Sequence, residues 1–166
     1  MSATRRAPVP SFPIQRVMER LRRAVAGFKV PIVTQYAQER SGPFRILIST
    51  ILSLRTQDAT TAAASRRLFA LARTPPAMLK LSEAAIAQAI YPVGFYKTKA
   101  ATIRGICRRL IEEFGGLVPD EIDELLQLKG VGRKTANLVV TLGYGKPGIC
   151  VDTHVHRITN RWGCVA

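Results

Sequence analysis

The stretch that decides the fold runs from Leu125 to Asp152 and reads LLQLKGVGRKTANLVVTLGYGKPGICVD. Its apolar start predicts the end of one helix, and a Gly-Val-Gly turn follows at Gly130, Val131 and Gly132. Glycine tolerates positive φ and lets the backbone approach a partner closely, so these residues suit a tight turn. The pattern therefore predicts a hairpin of two short helices over about residues 121–142.

The second helix of the hairpin is expected to begin near Arg133, Lys134 and Thr135. The first amides of a helix have no intrahelical partner and carry partial positive charge. A glycine-rich turn before a helix start is therefore typical of a phosphate-binding element. This turn lacks the spacing of a Walker loop or of a dinucleotide fingerprint. We expect it to hold nucleic-acid backbone without reading base sequence.

Lys134 is the candidate nucleophile. The helix dipole disfavours a cation in the first turn, and Arg133 adds like charge beside it. Both effects favour the neutral amine, which can act as a nucleophile. The alternative, which the bare residues favour, is that both side chains are surface cations that contact phosphate.

Asp152 is the candidate partner of Lys134. It precedes the predicted helix that starts at Thr153, and aspartate is a preferred N-cap, so a structural role would explain it without catalysis. A carboxylate and an amine at two helix starts can nevertheless face one cleft, and Asp152 follows Lys134 by eighteen positions. That intervening chain is long enough to fold back.

The charge of the chain indicates its partner. Its 166 residues suit one domain, and 25 basic against 11 acidic residues give a net charge of +14. Nucleic acid is the leading partner for such a chain, and an anionic membrane surface is the second. No apolar run has the length of a membrane span, and the N-terminus has no secretory signal. We expect a cytoplasmic, nucleoid-associated monomer that does not bind membranes.

The cysteines and histidines do not predict a metal site. Cys107, Cys150 and Cys164 are too few and too far apart for a disulfide framework or a zinc site. Cys107 lies in an apolar helical stripe and is expected to be a core thiol. His154 and His156 are two residues apart and face different sides of a helix.

Apolar periodicity predicts an all-α, multi-helix bundle with no strand. Residues 1–13 are expected to be flexible, and residues 14–166 to form the helical domain. The segment from Phe44 to Leu54 is apolar on nearly every side and is predicted to lie in the middle of the bundle. Asp58 is a candidate N-cap. Other helices are expected at about 14–28, 31–39, 59–73, 75–81, 83–91, 97–114 and 121–128.

Four stretches carry a family resemblance. They are ILSLRTQDATT (51–61), VGFYKTKA (93–100), LKGVGRKTAN (128–137) and VDTHVHRITNR (151–161). The chain resembles the endonuclease III family of helix-hairpin-helix DNA glycosylases, including the spacing from Lys134 to Asp152. The resemblance implies a helix bundle of that glycosylase type.

The resemblance also implies a reaction and a partner. The expected partner is double-stranded DNA that carries damaged bases or abasic sites. Lys134 would displace a damaged pyrimidine from its sugar, and the resulting Schiff base would promote β-elimination. Asp152 would activate the amine and stabilise positive charge on the sugar.

Two further stretches would meet DNA away from the nucleophile. Phe95 lies where relatives carry a Leu or Phe wedge, although a loop aromatic folded onto the core is an equal alternative. Arg55 lies where relatives commonly carry Gln near the estranged base, and arginine can donate but cannot accept. Gln57 and Lys97 are expected to contact DNA from the same two stretches.

The residues of this chain do not predict the cofactor that most relatives carry. Most relatives continue with four closely spaced cysteines that hold a 4Fe–4S cluster, and the three cysteines here match neither that number nor that spacing. We expect no cofactor in this chain and a C-terminally incomplete domain. The rival interpretation is a truncated DNA-binding remnant without turnover. A monofunctional glycosylase is disfavoured by Lys134, and an unrelated basic scaffold would leave the Lys134–Asp152 spacing to chance.

Overall fold

The computed structural model describes residues 12–163, and within that range every regular element is helical. The predicted all-α class is confirmed for this part of the chain. Residues 1–11, most of the segment expected to be flexible, lie outside it. The helices are α1 (Ile14–Val25), α2 (Ile32–Gln38), α3 (Pro43–Ser53), α4 (Asp58–Leu71), α5 (Pro75–Lys80), α6 (Glu83–Ile90), α7 (Tyr96–Phe114), α8 (Ile122–Leu126), α9 (Arg133–Leu138) and α10 (Thr153–Arg161), with a π-helical turn at Val139–Gly143.

The chain divides into two compact units. The larger unit comprises residues 30–150 and contains α2 to α9. The smaller unit comprises residues 1–29 and 151–166 and contains α1 and α10, neither of which buries a residue. Within the smaller unit the rings of Phe12 and Trp162 stack with centroids 5.1 Å apart.

Helix α3 lies at the centre of the larger unit, as its sequence predicts. Its apolar side chains are almost completely buried, and it packs against α2, α4, α7, α9 and the π-helical turn. A helix that is apolar on all sides needs this position, because any exposed face would leave hydrocarbon in water. The fully buried residues include Ile46, Leu47, Ile48, Ile51 and Leu52.

Capping residues set several helix boundaries. The Oγ of Ser82 accepts a hydrogen bond from the amide of Ala85 at the start of α6. Gly115 ends α7 in the left-handed region, with φ +59°. The prediction that Asp58 is an N-cap is wrong, since Asp58 is the first residue of α4 and Gln57 precedes it without a side-chain cap. A carboxylate in the first turn is still favoured by the helix dipole.

The hairpin helices differ from their predicted extents. Helix α8 ends at Leu126 rather than Leu128, because the amides of Gln127 and Leu128 bond to carbonyls three residues back. The helix after the turn is regular only to Leu138 and then widens into the π-helical turn. In the described part of the chain, no helix combines the length and apolarity needed to cross a bilayer.

Candidate active site and nucleic-acid interface

The hairpin turn depends on one glycine in particular. Gly130 has φ +89°, and a Cβ there would lie 2.7 Å from the Cγ2 of Thr102 on α7. Gly132 has φ −97°, and a Cβ there would meet nothing within 4 Å. The expectation that both glycines supply positive φ and a close approach therefore holds for Gly130 but not for Gly132. Val131 between them is 6% exposed and anchors the turn in the core.

The residues in the first turn of helix α9 differ in exposure. Arg133 and Lys134 are exposed, whereas Thr135 is 2% exposed and packs inward. The side chains of Val131 and Thr135 are therefore unavailable to a ligand, and only their backbone groups remain as possible contacts. The side-chain amide of Asn137 donates to the carbonyl of Arg133 at 2.9 Å, which ties the second turn of α9 to the first.

Lys134 is the second residue of α9 and is an exposed residue. Its carbonyl oxygen accepts a long contact of 3.9 Å from the Sγ of Cys150. The segment that ends the larger unit thus returns to the start of α9. The path of that segment is also held by Lys146, whose Nζ lies 3.0 Å from the Asp120 carboxylate and also pairs with Glu121.

Asp152 caps α10, as its position predicts. Its Oδ1 accepts hydrogen bonds from the amides of His154 at 2.9 Å and Val155 at 2.8 Å. These bonds satisfy two amides at the helix start and fix the direction of the carboxylate. Asp152 belongs to the smaller unit and Lys134 to the larger, so their pairing stays a prediction.

Arg55 and Phe95 come together in the larger unit, although forty residues separate them in the sequence. Both have left-handed backbone conformations, with φ +53° and +58°. The guanidinium carbon of Arg55 lies 5.7 Å from the centroid of the Phe95 ring. Phe95 is 62% exposed, so the alternative that it folds onto the core is wrong.

Gln57 and Lys97 flank this pair in the sequence, and both are exposed. Gln57 is the N-cap position of α4, and Lys97 is the second residue of α7. Lys97 also lines an open groove of about 540 Å³ together with Tyr91 and Tyr96.

Lys99 is a functional candidate that the sequence reasoning missed. Lysine is almost never fully buried unless it is paired, yet Lys99 is only 7% exposed. Its Nζ donates to the carbonyls of Leu52 at 2.9 Å and Leu54 at 2.6 Å, and lies 3.3 Å from the Oγ1 of Thr56. Burial lowers the pKa of Lys99 to about 8.

A signal for this burial was present in the sequence. Lys99 precedes Ile103, Ile106 and Leu110 by four, seven and eleven residues, which is the spacing of one helical face. All three of those side chains are buried. A lysine that continues an apolar stripe is a candidate for a buried ammonium with specific acceptors.

The described residues do not fit a metal cluster. They contain no group of three or more His, Cys, Asp or Glu side chains that could hold a metal ion. Cys107 is fully buried, as expected for a core thiol, and burial raises its pKa to about 12. A 4Fe–4S cluster needs four thiolates, whereas the sequence has three cysteines, of which Cys164 lies outside the described residues.

Comparison with curated proteins finds close relatives over most of this chain. Endonuclease III of Thermotoga maritima is 50% identical over 127 residues, which are 76% of this chain and 60% of that protein. Endonuclease III of Escherichia coli K12 is 42% identical over 121 residues, which are 73% of this chain and 57% of that protein. The chain thus spans about three fifths of the length of these relatives.

Comparison with solved structures finds the same fold. A trapped covalent intermediate of endonuclease III with DNA, containing an estranged adenine, superposes with a TM-score of 0.80. The match covers 95% of this chain and 71% of that chain at 33% identity. A non-covalent complex of endonuclease III with DNA matches equally well. Residues 48–166 match a family model for base excision DNA repair proteins of the HhH-GPD superfamily. The chain therefore belongs to the HhH-GPD superfamily of base excision DNA repair proteins.

Proposed function

We propose that this chain removes damaged pyrimidines from double-stranded DNA and cleaves the resulting abasic sites. The observation that carries the proposal is the place of Lys134, an exposed residue in the first turn of α9 directly after the Gly130–Gly132 turn. A lysine at this place can reach a sugar whose phosphate lies against the hairpin amides.

Lys134 acts as the nucleophile in this proposal. Its Nζ forms a bond to C1′ of the damaged nucleotide, and the glycosidic bond breaks with its electron pair leaving on the base. Opening of the sugar ring converts the adduct into a Schiff base. Loss of a C2′ proton then expels the phosphate from C3′, which cuts the strand on the 3′ side. Water hydrolyses the remaining imine and returns the free amine.

Asp152 assists by accepting a proton from the Lys134 amine and by stabilising positive charge on the sugar. The two amides that bond to its Oδ1 hold the carboxylate in one orientation. A fixed carboxylate can act on a positioned sugar without reorganising during the reaction. The proposal therefore gives Asp152 both a capping and a catalytic role.

The remaining site residues hold the duplex. Gly130, Gly132 and Arg133 are exposed at the hairpin and are suited to bind one phosphate group, with the backbone amide of Thr135 nearby in the chain. The amide of Val131 already donates to the Leu128 carbonyl at 2.9 Å, so Val131 supports the shape of the turn. The exposed side chains of Arg55, Gln57, Phe95 and Lys97 would contact the distorted duplex. A net charge of +14 supports such a partner and predicts affinity that falls steeply with salt. We propose that a single copy of the chain binds the lesion and that it acts at the nucleoid.

Borohydride trapping tests the nucleophile. The chain is incubated with a duplex that contains one abasic site, the imine is reduced, and covalent adducts are separated on a denaturing gel. We expect an adduct with the parent chain and with Lys80→Gln, a control on the exposed surface of α5, and none with Lys134→Gln.

Two outcomes would contradict the proposal. An adduct that persists in Lys134→Gln would assign the nucleophile to another amine. Duplex binding by the parent chain without any adduct would instead favour the rival function, a DNA-binding protein without turnover.

A further inference from the structure

We propose that Lys99 is a positioning residue that fastens the loops of Arg55 and Phe95 into one rigid element that enters the DNA duplex. The inference rests on the proposed function, because it assigns the two loops a task in opening damaged DNA. It concerns extrusion of the nucleotide and not the covalent chemistry of Lys134.

The first observation is the end of helix α3. The last carbonyls of a helix have no intrahelical partner and need another donor. At this end, Lys99 of α7 supplies it, since its Nζ bonds to the carbonyls of Leu52 and Leu54 at 2.9 and 2.6 Å. One ammonium therefore fixes the backbone on both sides of Ser53, where α3 stops.

The second observation is the direct contact between the two loops. The Oγ1 of Thr56 lies 3.3 Å from the Lys99 Nζ and accepts a hydrogen bond of 3.2 Å from the amide of Gly94. A Cβ at Gly94 would lie 2.6 Å from the carbonyl oxygen of Arg55. The two loop backbones are therefore so close that only glycine fits at position 94. The hydroxyl of Thr56 connects Lys99 to the Gly94 amide at this same contact.

The third observation is the conformation of the two residues that project from this contact. Arg55 and Phe95 both have positive φ, which is unfavourable for residues other than glycine. Such conformations persist where surrounding contacts impose them, and they concentrate at functional sites. The guanidinium of Arg55 also faces the Phe95 ring at 5.7 Å, within range of a cation–π contact.

These observations have one consequence for DNA binding. A damaged nucleotide must leave the stack before Lys134 can reach its sugar, and the vacated space must be filled. Loops that are ordered only on binding would lose conformational entropy at that moment. Loops fastened beforehand by the Lys99 ammonium avoid that loss, so extrusion becomes more favourable.

A fluorescent duplex tests the proposal without any reaction. The duplex carries a tetrahydrofuran abasic analogue opposite 2-aminopurine, whose fluorescence rises when it unstacks. At protein concentrations that saturate the duplex, we expect Lys99→Met and Thr56→Val each to lower the fluorescence gain by about threefold or more. The reason is that the two loops no longer enter the duplex together. Two matched controls, Thr56→Ser, which keeps the hydroxyl, and Lys80→Met, which removes an exposed lysine, should give the gain of the parent chain.

Activity on two substrates separates positioning from chemistry. We expect excision of a damaged pyrimidine from duplex DNA to fall at least about tenfold in Lys99→Met and Thr56→Val. Borohydride trapping at an abasic site in single-stranded DNA needs no extrusion and should stay within about threefold of the parent chain. Thermal melting identifies a variant that does not fold. If Lys99→Met does not fold, the results with Thr56→Val test the proposal.

Several results would overturn the proposal. They are an unchanged fluorescence gain in both variants, an equal loss on the two substrates, or a loss in Thr56→Ser as large as in Thr56→Val. Absence of trapping by the parent chain would instead refute the proposed nucleophile, while the fluorescence experiment would still test the loop contact.

Discussion

The ammonium of Lys99 lies 2.6 Å from the carbonyl oxygen of Leu54, one residue beyond the end of helix α3. This contact places a cation in a site that is almost closed to water, and burial lowers its pKa from 10.5 to about 8. The same contact connects stability to pH and the fold to the candidate interface.

Stability should rise with pH just above pH 8 because of Lys99. In that range the folded chain loses the Lys99 proton and the unfolded chain keeps it, so the unfolded state binds more protons. The contribution of Lys99 to the free energy of unfolding should then increase by up to about 1.4 kcal/mol per pH unit. Urea unfolding at pH 7.5, 8.5 and 9 measures this slope, which Lys99→Met should reduce and Lys80→Met should keep. Equal slopes in the parent chain and Lys99→Met would contradict the expectation.

Gly130→Ala should be far more costly than Gly132→Ala. The first substitution puts a Cβ at positive φ and 2.7 Å from a methyl group of Thr102, whereas the second finds open space. We expect Gly130→Ala to lower the free energy of unfolding by about 1–3 kcal/mol and Gly132→Ala to change it by less than about 0.5 kcal/mol. Thermal melting of the two variants checks the difference. Similar losses in both would mean that the turn needs two glycines for stability.

Asp152→Asn should separate capping from catalysis. Asparagine is as good an N-cap as aspartate, so Asp152→Asn should keep the start of α10 and the free energy of unfolding. Asp152→Ala removes the cap and should lower the free energy of unfolding by about 1 kcal/mol. Asparagine cannot accept a proton from the amine, and we expect both variants to excise damaged pyrimidines at least about 100-fold more slowly. Single-turnover excision assays measure these rates. Full activity in Asp152→Asn would leave Asp152 with a capping role only.

Ser49→Ala should stabilise the chain. Ser49 on α3 is fully buried, and its hydroxyl has no hydrogen-bond partner among the described residues. Removing that hydroxyl should raise the free energy of unfolding by about 1 kcal/mol. The matched substitution is Thr50→Val on the same helix, which removes a hydroxyl that donates to the Ile46 carbonyl at 2.8 Å. It should not give this gain, and urea unfolding of both variants tests the sign.

The sequence predicted much of the local structure correctly. The continuous apolar character of α3 placed it in the centre of the bundle, and Asp152 marked a helix start that the structure confirms. Such features depend on a few neighbouring residues, so they can be read without the rest of the chain. Asp58 was the exception, since an acidic residue is favoured both before a helix and in its first turn.

By itself the sequence determined the helical class, the position of the hairpin and the candidate nucleophile Lys134, because periodicity and motif spacing are local properties. Tertiary structure alone decided which carbonyls Lys99 binds, that Phe95 projects, and that Gly130 rather than Gly132 needs positive φ. Each of these depends on a segment distant in the sequence, as in the bond from Lys99 to Leu52 across 47 residues. Contacts over that distance form only when α3 and α7 pack, and no nearby residue encodes them.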